Sequence, residues 1–411
     1  MAITIDGSSG ITFPDSSVLA SGNVGTSWQS VKTANFTAVA GEGYPINTTS
    51  GSVTVTMPSS PSAGDTVEFL DYAGTFGNNV LILTSSDNIN STSDDLLCPT
   101  SSARYLAVYI DSTIGWNVTN EGAKSVVYQV DFLSIGGGGS TYAQSTDYTG
   151  GGGGGAGGYI TSWNNETSGD NSSAVDQIIL QVGKLYTVTV GAGAVASTSA
   201  TTGEDSGIKD GPTWLVQSYG GGNTRHFGNA STPGTNGGCG GGGSGWGEGN
   251  NYGAGGSGTV NQGGDGGTGA YTNSTTTAGG GGGGAGGNGT DASGTVAGNG
   301  GNGLASTITG SSVTRAGGGG GGTSNGTAGT GGTGGAGNGA NNALGGAPTA
   351  NTGSGAGGSG HRAGGVNGAS GIVILRMPTA KYSGVTTGSP TVTTSGSDTI
   401  LTYTGSGSYT A

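Results

Sequence analysis

The residues able to serve as nucleophiles, bases or metal ligands are few in this chain and far apart along it. Its two histidines are His226 and His361, and its two cysteines are Cys98 and Cys239. Neither cysteine has a CxxC or Cys–His spacing beside it, so the two read as isolated free thiols and not as a metal knuckle or redox couple. The densest carboxylate group is Glu204-Asp-Ser-Gly-Ile-Lys-Asp210. A pair of acids is what glycoside cleavage requires, but this stretch reads as a solvated Gly- and Thr-rich loop with nothing to desolvate a carboxylate. The pattern GxxxxGK[ST] is missing, so no glycine run qualifies as a phosphate loop. The expectation is a non-enzymatic protein with no cofactor, no metal and no catalytic residue.

Binding chemistry is better represented. Trp163, Trp214 and Trp246 lie between glycine runs, together with Tyr219, Tyr252 and Tyr271. Aromatic side chains of this kind offer a flat face to a sugar ring, and these six are the expected receptor contacts. The structural alternative is that they cap the edge of a glycine array or fill gaps between subunits, because such an array has few other large groups to bury.

Glycine governs the elements that must hold these residues. There are 99 glycines in 411 residues, and Gly150 to Gly158 reads GGGGGGAGG, the same nine letters as Gly279 to Gly287. Further tracts are Gly136 to Gly139, Gly237 to Gly243, Gly263 to Gly269, Gly317 to Gly322, Gly329 to Gly339 and Gly353 to Gly360. There is no strict Gly-X-Y period and Pro is scarce, which excludes collagen. A lone glycine tract cannot offset the roughly 1–2 kcal/mol per residue of backbone ordering. In a three-residue-per-turn extended helix, however, N–H and C=O groups point outward and pair laterally, and glycine on every face lets neighbours approach from all sides. The tracts therefore predict a bundle of extended polyglycine II-type helices.

The remainder reads as β-structure with almost no helix. Residues 1–26 form a short polar arm containing GITFPDSSVLASG, too short to fold alone and expected to dock onto something else. Residues 27–123 hold period-two runs, Ser52 to Thr56, Thr66 to Leu70, Val80 to Leu83, Tyr105 to Ile110 and Ile114 to Val118, which predict a small β-sandwich or jelly roll. Residues 124–378 are the glycine-rich domain, entered by SVVYQVDFLSI, closed by Gly371 to Met377, and carrying Leu185 to Val190 between them as a third base strand. Residues 379–411 alternate Thr, Val, Tyr and Ser and read as a terminal β element.

With 31% hydrophobic and 8% charged residues, a conventional core is expected only in parts. The net charge of −13 and the lack of a basic cluster argue against nucleic acid. No apolar run approaches a membrane span, and the start MAITIDGSSG lacks the basic and apolar stretches of a Sec signal, so neither membrane insertion nor Sec export is expected.

The order VDFLSIGGGG, TGGGGGGAGGY, KLYTVTVGAGA and GASGIVILRMP resembles the glycine-rich domain of phage tail-fibre and adhesin proteins. GITFPDSSVLASG resembles an N-terminal segment of fibre proteins of marine and cyanobacterial phages, and Gly43 to Gly77 resembles a β module of the same proteins. The resemblance implies a virion protein assembled in the bacterial host cytoplasm, a homotrimer, whose arm docks to other virion structural proteins through Ile11, Phe13, Pro14, Val18 and Leu19. It implies a glycine-rich domain that meets a host cell-surface glycan or outer-membrane protein. A structural decoration or connector of capsid, neck or tail, without receptor binding, is the alternative.

Overall fold

The computed structural model describes residues 4–6, 10–12, 18–19, 26–120, 127–142, 150–197, 201–224, 233–245, 252–273, 276–361 and 363–411. Regular secondary structure among the described residues is mainly β-strand, with helix confined to two single 3-10 turns, Trp163–Asn165 and Thr379–Lys381. The chain divides into two compact units, Met1–Val126 and Val127–Ala411.

In the first unit the arm contributes a three-stranded antiparallel sheet in which Ile11 opposes both Ile5 and Leu19, and Thr12 opposes Val18. Phe13 and Pro14 lie outside the described residues. The module that follows is a sandwich of a four-stranded and a five-stranded sheet around one core. Val53, Val55, Leu81 and Leu83 come from one sheet, and Tyr44, Val67, Phe69 and Trp116 from the other. Alternation places these side chains inward, since successive strand residues face opposite ways. The pairing departs from a jelly roll, because the chain switches sheets at almost every strand. Glu42–Ile46 therefore runs parallel to Thr66–Asp71, and Val53–Thr56 parallel to Leu81–Thr84. The buried Asp71 carboxylate closes one turn by accepting the backbone N–H groups of Thr75, Phe76 and Ser102 at 3.1, 3.0 and 2.8 Å.

The second unit has a two-sheet base. Val127–Ile135 pairs antiparallel with Ile372–Pro378, which pairs in turn with Asp398–Tyr403. Leu185–Thr189 lies in the facing sheet, between Ser206–Asp210 and Gly407–Thr410. Two of the three expected base strands are thus neighbours and the third stands opposite them. The strands within 379–411 are built into both sheets. Phe132, Val188, Leu375, Leu401 and Tyr409 fill the space between the sheets. On the other face of the first sheet, Leu133, Ile135, Ile372 and Ile374 meet Ala156, Cys239, Ala285 and Ala316 of the glycine segments.

From this base the chain runs out and back in extended glycine segments whose hydrogen bonds repeat every third residue. Along 150–158, Gly151, Gly154 and Gly157 donate to Ser359, Ala356 and Gly353; Gly153 and Ala156 donate to Gly280 and Gly283; Gly155 and Gly158 donate to Gly222 and Tyr219. One segment bonds three neighbours in rotation, the period of a three-residue-per-turn extended helix. Its carbonyls are used as well: Gly242, Gly319 and Cys239 donate to those of Gly153, Gly154 and Ala156. Each such bond contributes only about 0.5–1.5 kcal/mol net, so the array holds through their number.

Close approach is what demands glycine here. A Cβ at Gly153 would lie 1.9 Å from the carbonyl oxygen of Gly319, and one at Gly154 would lie 2.3 Å from that of Gly139. Of the alanines set among the glycines, Ala156, Ala285 and Ala316 pack with the isoleucines of the base.

At the rim, side chains take the place of a neighbouring backbone. Asn299 and Asn302 accept, through their side-chain carbonyls, the N–H groups of Thr330 and Thr333 at 2.8 and 3.2 Å. Asn288 and Asp291 do the same for Asp265 and Thr268 at 2.8 and 2.6 Å. Both pairs are spaced by three, the interval at which the backbone hydrogen bonds of 150–158 recur.

Candidate functional site

Strand Tyr159–Thr161 pairs with the end of Val127–Ile135 and passes into the 3-10 turn Trp163–Asn165. Asn164 and Asn165 hold left-handed backbone there (φ 47° and 55°), a region in which Asn is several-fold enriched among non-glycine residues. Trp163, half-buried against the base, is fixed from two directions. Its indole Nε1 donates to Thr307 Oγ1 at 3.0 Å, and Thr307 donates from Oγ1 and N to Glu166 Oε1 at 2.6 and 2.8 Å. The Arg376 guanidinium lies 4.0 Å from the indole ring centroid. Arg376 is itself held by Asp398 Oδ2 at 2.9 Å and the Ile308 carbonyl at 3.1 Å.

Trp163 borders a cleft of about 590 Å³ on the base. From Val127–Ile135 come Gln129 and Asp131, and from the chain entering Ile178–Gln181 come Asp176 and Gln177. The Asp131 carboxylate organises this lining, with Oδ1 accepting from Ser162 Oγ at 3.0 Å and Oδ2 from Gln177 Nε2 at 2.7 Å. Ser162 Oγ also accepts the N–H of Phe132 at 2.9 Å, which ties the cleft wall to the sheet. The Asn164 and Asn165 turn closes one side. Amide, carboxylate and indole groups suit hydrogen bonding and stacking, and no activated nucleophile lines the cleft.

The five expected aromatic contacts among the described residues do not converge. Trp163, Trp214 and Tyr219 belong to the base. Trp214 sits on strand Thr213–Ser218 with the Lys209 ammonium 4.0 Å from its ring centroid. Tyr219 is 41% exposed, and its backbone is pinned by Gly158, which donates to its carbonyl, and by Gln262 Oε1, which accepts its N–H at 2.8 Å. Tyr252 and Tyr271 stand at the opposite end, beyond Gly253 and Gly269, whose N–H groups bond Ser244 and Gly253. Tyr252 is 53% exposed, and Tyr271 opposes Thr277 in a hairpin. Trp246 lies outside the described residues.

The acid-rich stretch is a strand and not the loop expected from its composition. Ser206–Asp210 pairs on both sides, because Ile208 is needed in the core. Its carboxylates serve structure: Asp205 accepts from Gly220 N and Gln217 Nε2 at 2.9 and 2.7 Å, and Asp210 pairs with Lys184 at 2.6 Å. Cys98 and Cys239 are free, buried thiols, and burial pushes each up to about 12. Among the described residues no three His, Cys, Asp or Glu side chains gather as a metal site, and no helix is long and apolar enough to cross a membrane. Sequence reasoning missed Gln129, Asp131 and Gln177. The signal available was the i, i+2 pair of polar residues in the otherwise apolar run VYQVDFLSI, which puts both on one face.

A family model described as a glycine-rich domain matches residues 116–378. The chain belongs to this glycine-rich domain family. No curated protein sequence matches the chain significantly. The glycine-rich domain match covers the cleft, both ends of the glycine array and the closing strand Ile372–Pro378, while the later strands complete its sheets.

Proposed function

We propose that this protein is a non-enzymatic virion fibre or adhesin whose N-terminal arm attaches to other virion structural proteins and whose glycine-rich domain, built of polyglycine II-type helices, faces the host surface as a homotrimer. One observation carries the reading: the glycine segments bond one another laterally through most of their backbone groups, giving a stiff scaffold whose interior holds few side chains, most of them small. Such a scaffold leaves its turns free to carry recognition residues, and Tyr252 and the Tyr271 hairpin stand at its far end. Ligand recognition from loops on a rigid frame is a common arrangement.

The test is binding of the purified full chain to intact candidate host cells. Saturable binding, weakened by Tyr252→Ala with Tyr271→Ala, supports the adhesin. A well-folded protein that binds none of the cells on which its virion grows sinks it and leaves a connector or decoration of the particle.

A further inference from the structure

We infer that the cleft beside Trp163 is a binding site for a neutral saccharide, an inference that rests on the adhesin reading and adds a second site at the base. Three features of the cleft point to this class of ligand. Its lining is dominated by amides, which accept from and donate to the paired hydroxyls of a sugar ring, and by carboxylates, which accept from them. Gln177 is oriented, since its Nε2 is committed to Asp131 at 2.7 Å, and its carbonyl oxygen remains an acceptor. Asp131 keeps further lone pairs beyond those used by Ser162 and Gln177, because an ionised carboxylate has about four acceptor sites.

The second feature is preorganisation. Trp163 has its indole N–H engaged by Thr307 and one face covered by Arg376, so it loses little freedom when a ligand arrives. The third is charge. Asp131 and Asp176 line the cleft, while Arg376 is committed to Asp398 and to Ile308, which disfavours phosphate, sulfate and acidic sugars. An adjoining hollow of about 320 Å³ shares Gln129, Asp131 and Gln177. The two together give room for more than one sugar unit.

The experiment titrates the full chain with glucose, galactose, mannose, N-acetylglucosamine and their β-linked disaccharides, read by saturation-transfer NMR and by calorimetry. The expected result is saturable binding to at least one of them, weakened tenfold or more by Gln177→Ala and by Gln129→Ala, and unchanged by Tyr252→Ala. Both glutamines are at least partly exposed, so these variants keep the fold where Trp163→Ala would disturb it. No saturable binding to any probe, or binding indifferent to both glutamine variants, overturns the site. Host-cell binding measured on the same variants separates the two readings. Cell attachment without sugar binding removes the cleft and keeps the adhesin, whereas sugar binding without cell attachment keeps the cleft and removes the adhesin.

Discussion

The guanidinium of Arg376 lies over the indole of Trp163, 4.0 Å from the ring centroid, and joins the closing strand of the glycine-rich domain to the turn after its second glycine segment. Asp398 holds the same guanidinium from the adjacent strand. Arg376→Ala is expected to cost about 2–3 kcal/mol, because it strips a charge-assisted bond from Asp398 and the cover from Trp163. A double-mutant cycle with Trp163→Leu, which removes the aromatic face, read by urea denaturation, should give a coupling of about 0.5–2 kcal/mol. Additive costs would show that the stack contributes nothing.

Glycine positions should divide sharply by what a methyl would meet. Gly154→Ala drives a Cβ to 2.3 Å from the Gly139 oxygen, and backbone cannot step aside as a side chain would. A loss of about 3 kcal/mol or more, or failure to fold, is expected. Gly287→Ala meets nothing within 4 Å and should stay within about 1 kcal/mol of the parent. Equal melting temperatures for the two variants would contradict the packed array.

The rim ladder makes a gentler prediction. Asn302→Ala leaves the Thr333 N–H without its side-chain acceptor and should cost about 1 kcal/mol. Asn302→Asp keeps the acceptor and should lose less. Amide hydrogen exchange at Thr330 and Thr333 reports this directly, with faster exchange at Thr333 expected in the alanine variant alone.

Both thiols should be silent in the native protein. Cys98 and Cys239 are raised by burial to about 12, so each stays protonated well above the pH at which an unfolded thiol ionises. Their contribution to stability is therefore complete below pH of about 8.5 and falls as pH rises from there toward 12, because the unfolded state sheds its protons first. An aromatic disulfide reagent at pH 8 should titrate no thiol in the native chain and two in guanidinium. Fast native labelling, assigned to Cys98 or Cys239 by peptide mapping, would mean that the segment carrying that cysteine opens readily.

Much of this architecture was legible from residue patterns. Val53–Thr56 and Leu185–Thr189 declared themselves by alternation, since each buries one face only. The glycine tracts announced lateral pairing because nothing else could order them. The module's parallel pairing was hidden, as alternation reports which face is buried and not which strand lies alongside. Glu42–Ile46 escaped notice with Pro45 inside it, and Ser206–Asp210 was masked by the charges of Asp205 and Asp210, whose partners, Lys184, Gln217 and Gly220, are brought up only by folding. The Trp163 cleft was half visible: the indole stood out, while Asp131 and Gln177 lie 46 positions apart and meet through the pairing of their strands.

The rim asparagines settle a question that the glycine interior leaves open. A glycine segment whose hydrogen bonds recur every third residue presents nearly the same surface after sliding by three residues, so its neighbours have no grip on where it stops. Asn299 and Asn302 against Thr330 and Thr333, and the alanines seated on the base, supply that grip. On the polyglycine II reading proposed above, insertions of three residues within a segment are absorbed as one extra turn that lengthens the scaffold and lifts the far-end loops, whereas insertions of one or two rotate every later residue away from its partner. Reach changes in steps of a whole turn, roughly 9 Å each.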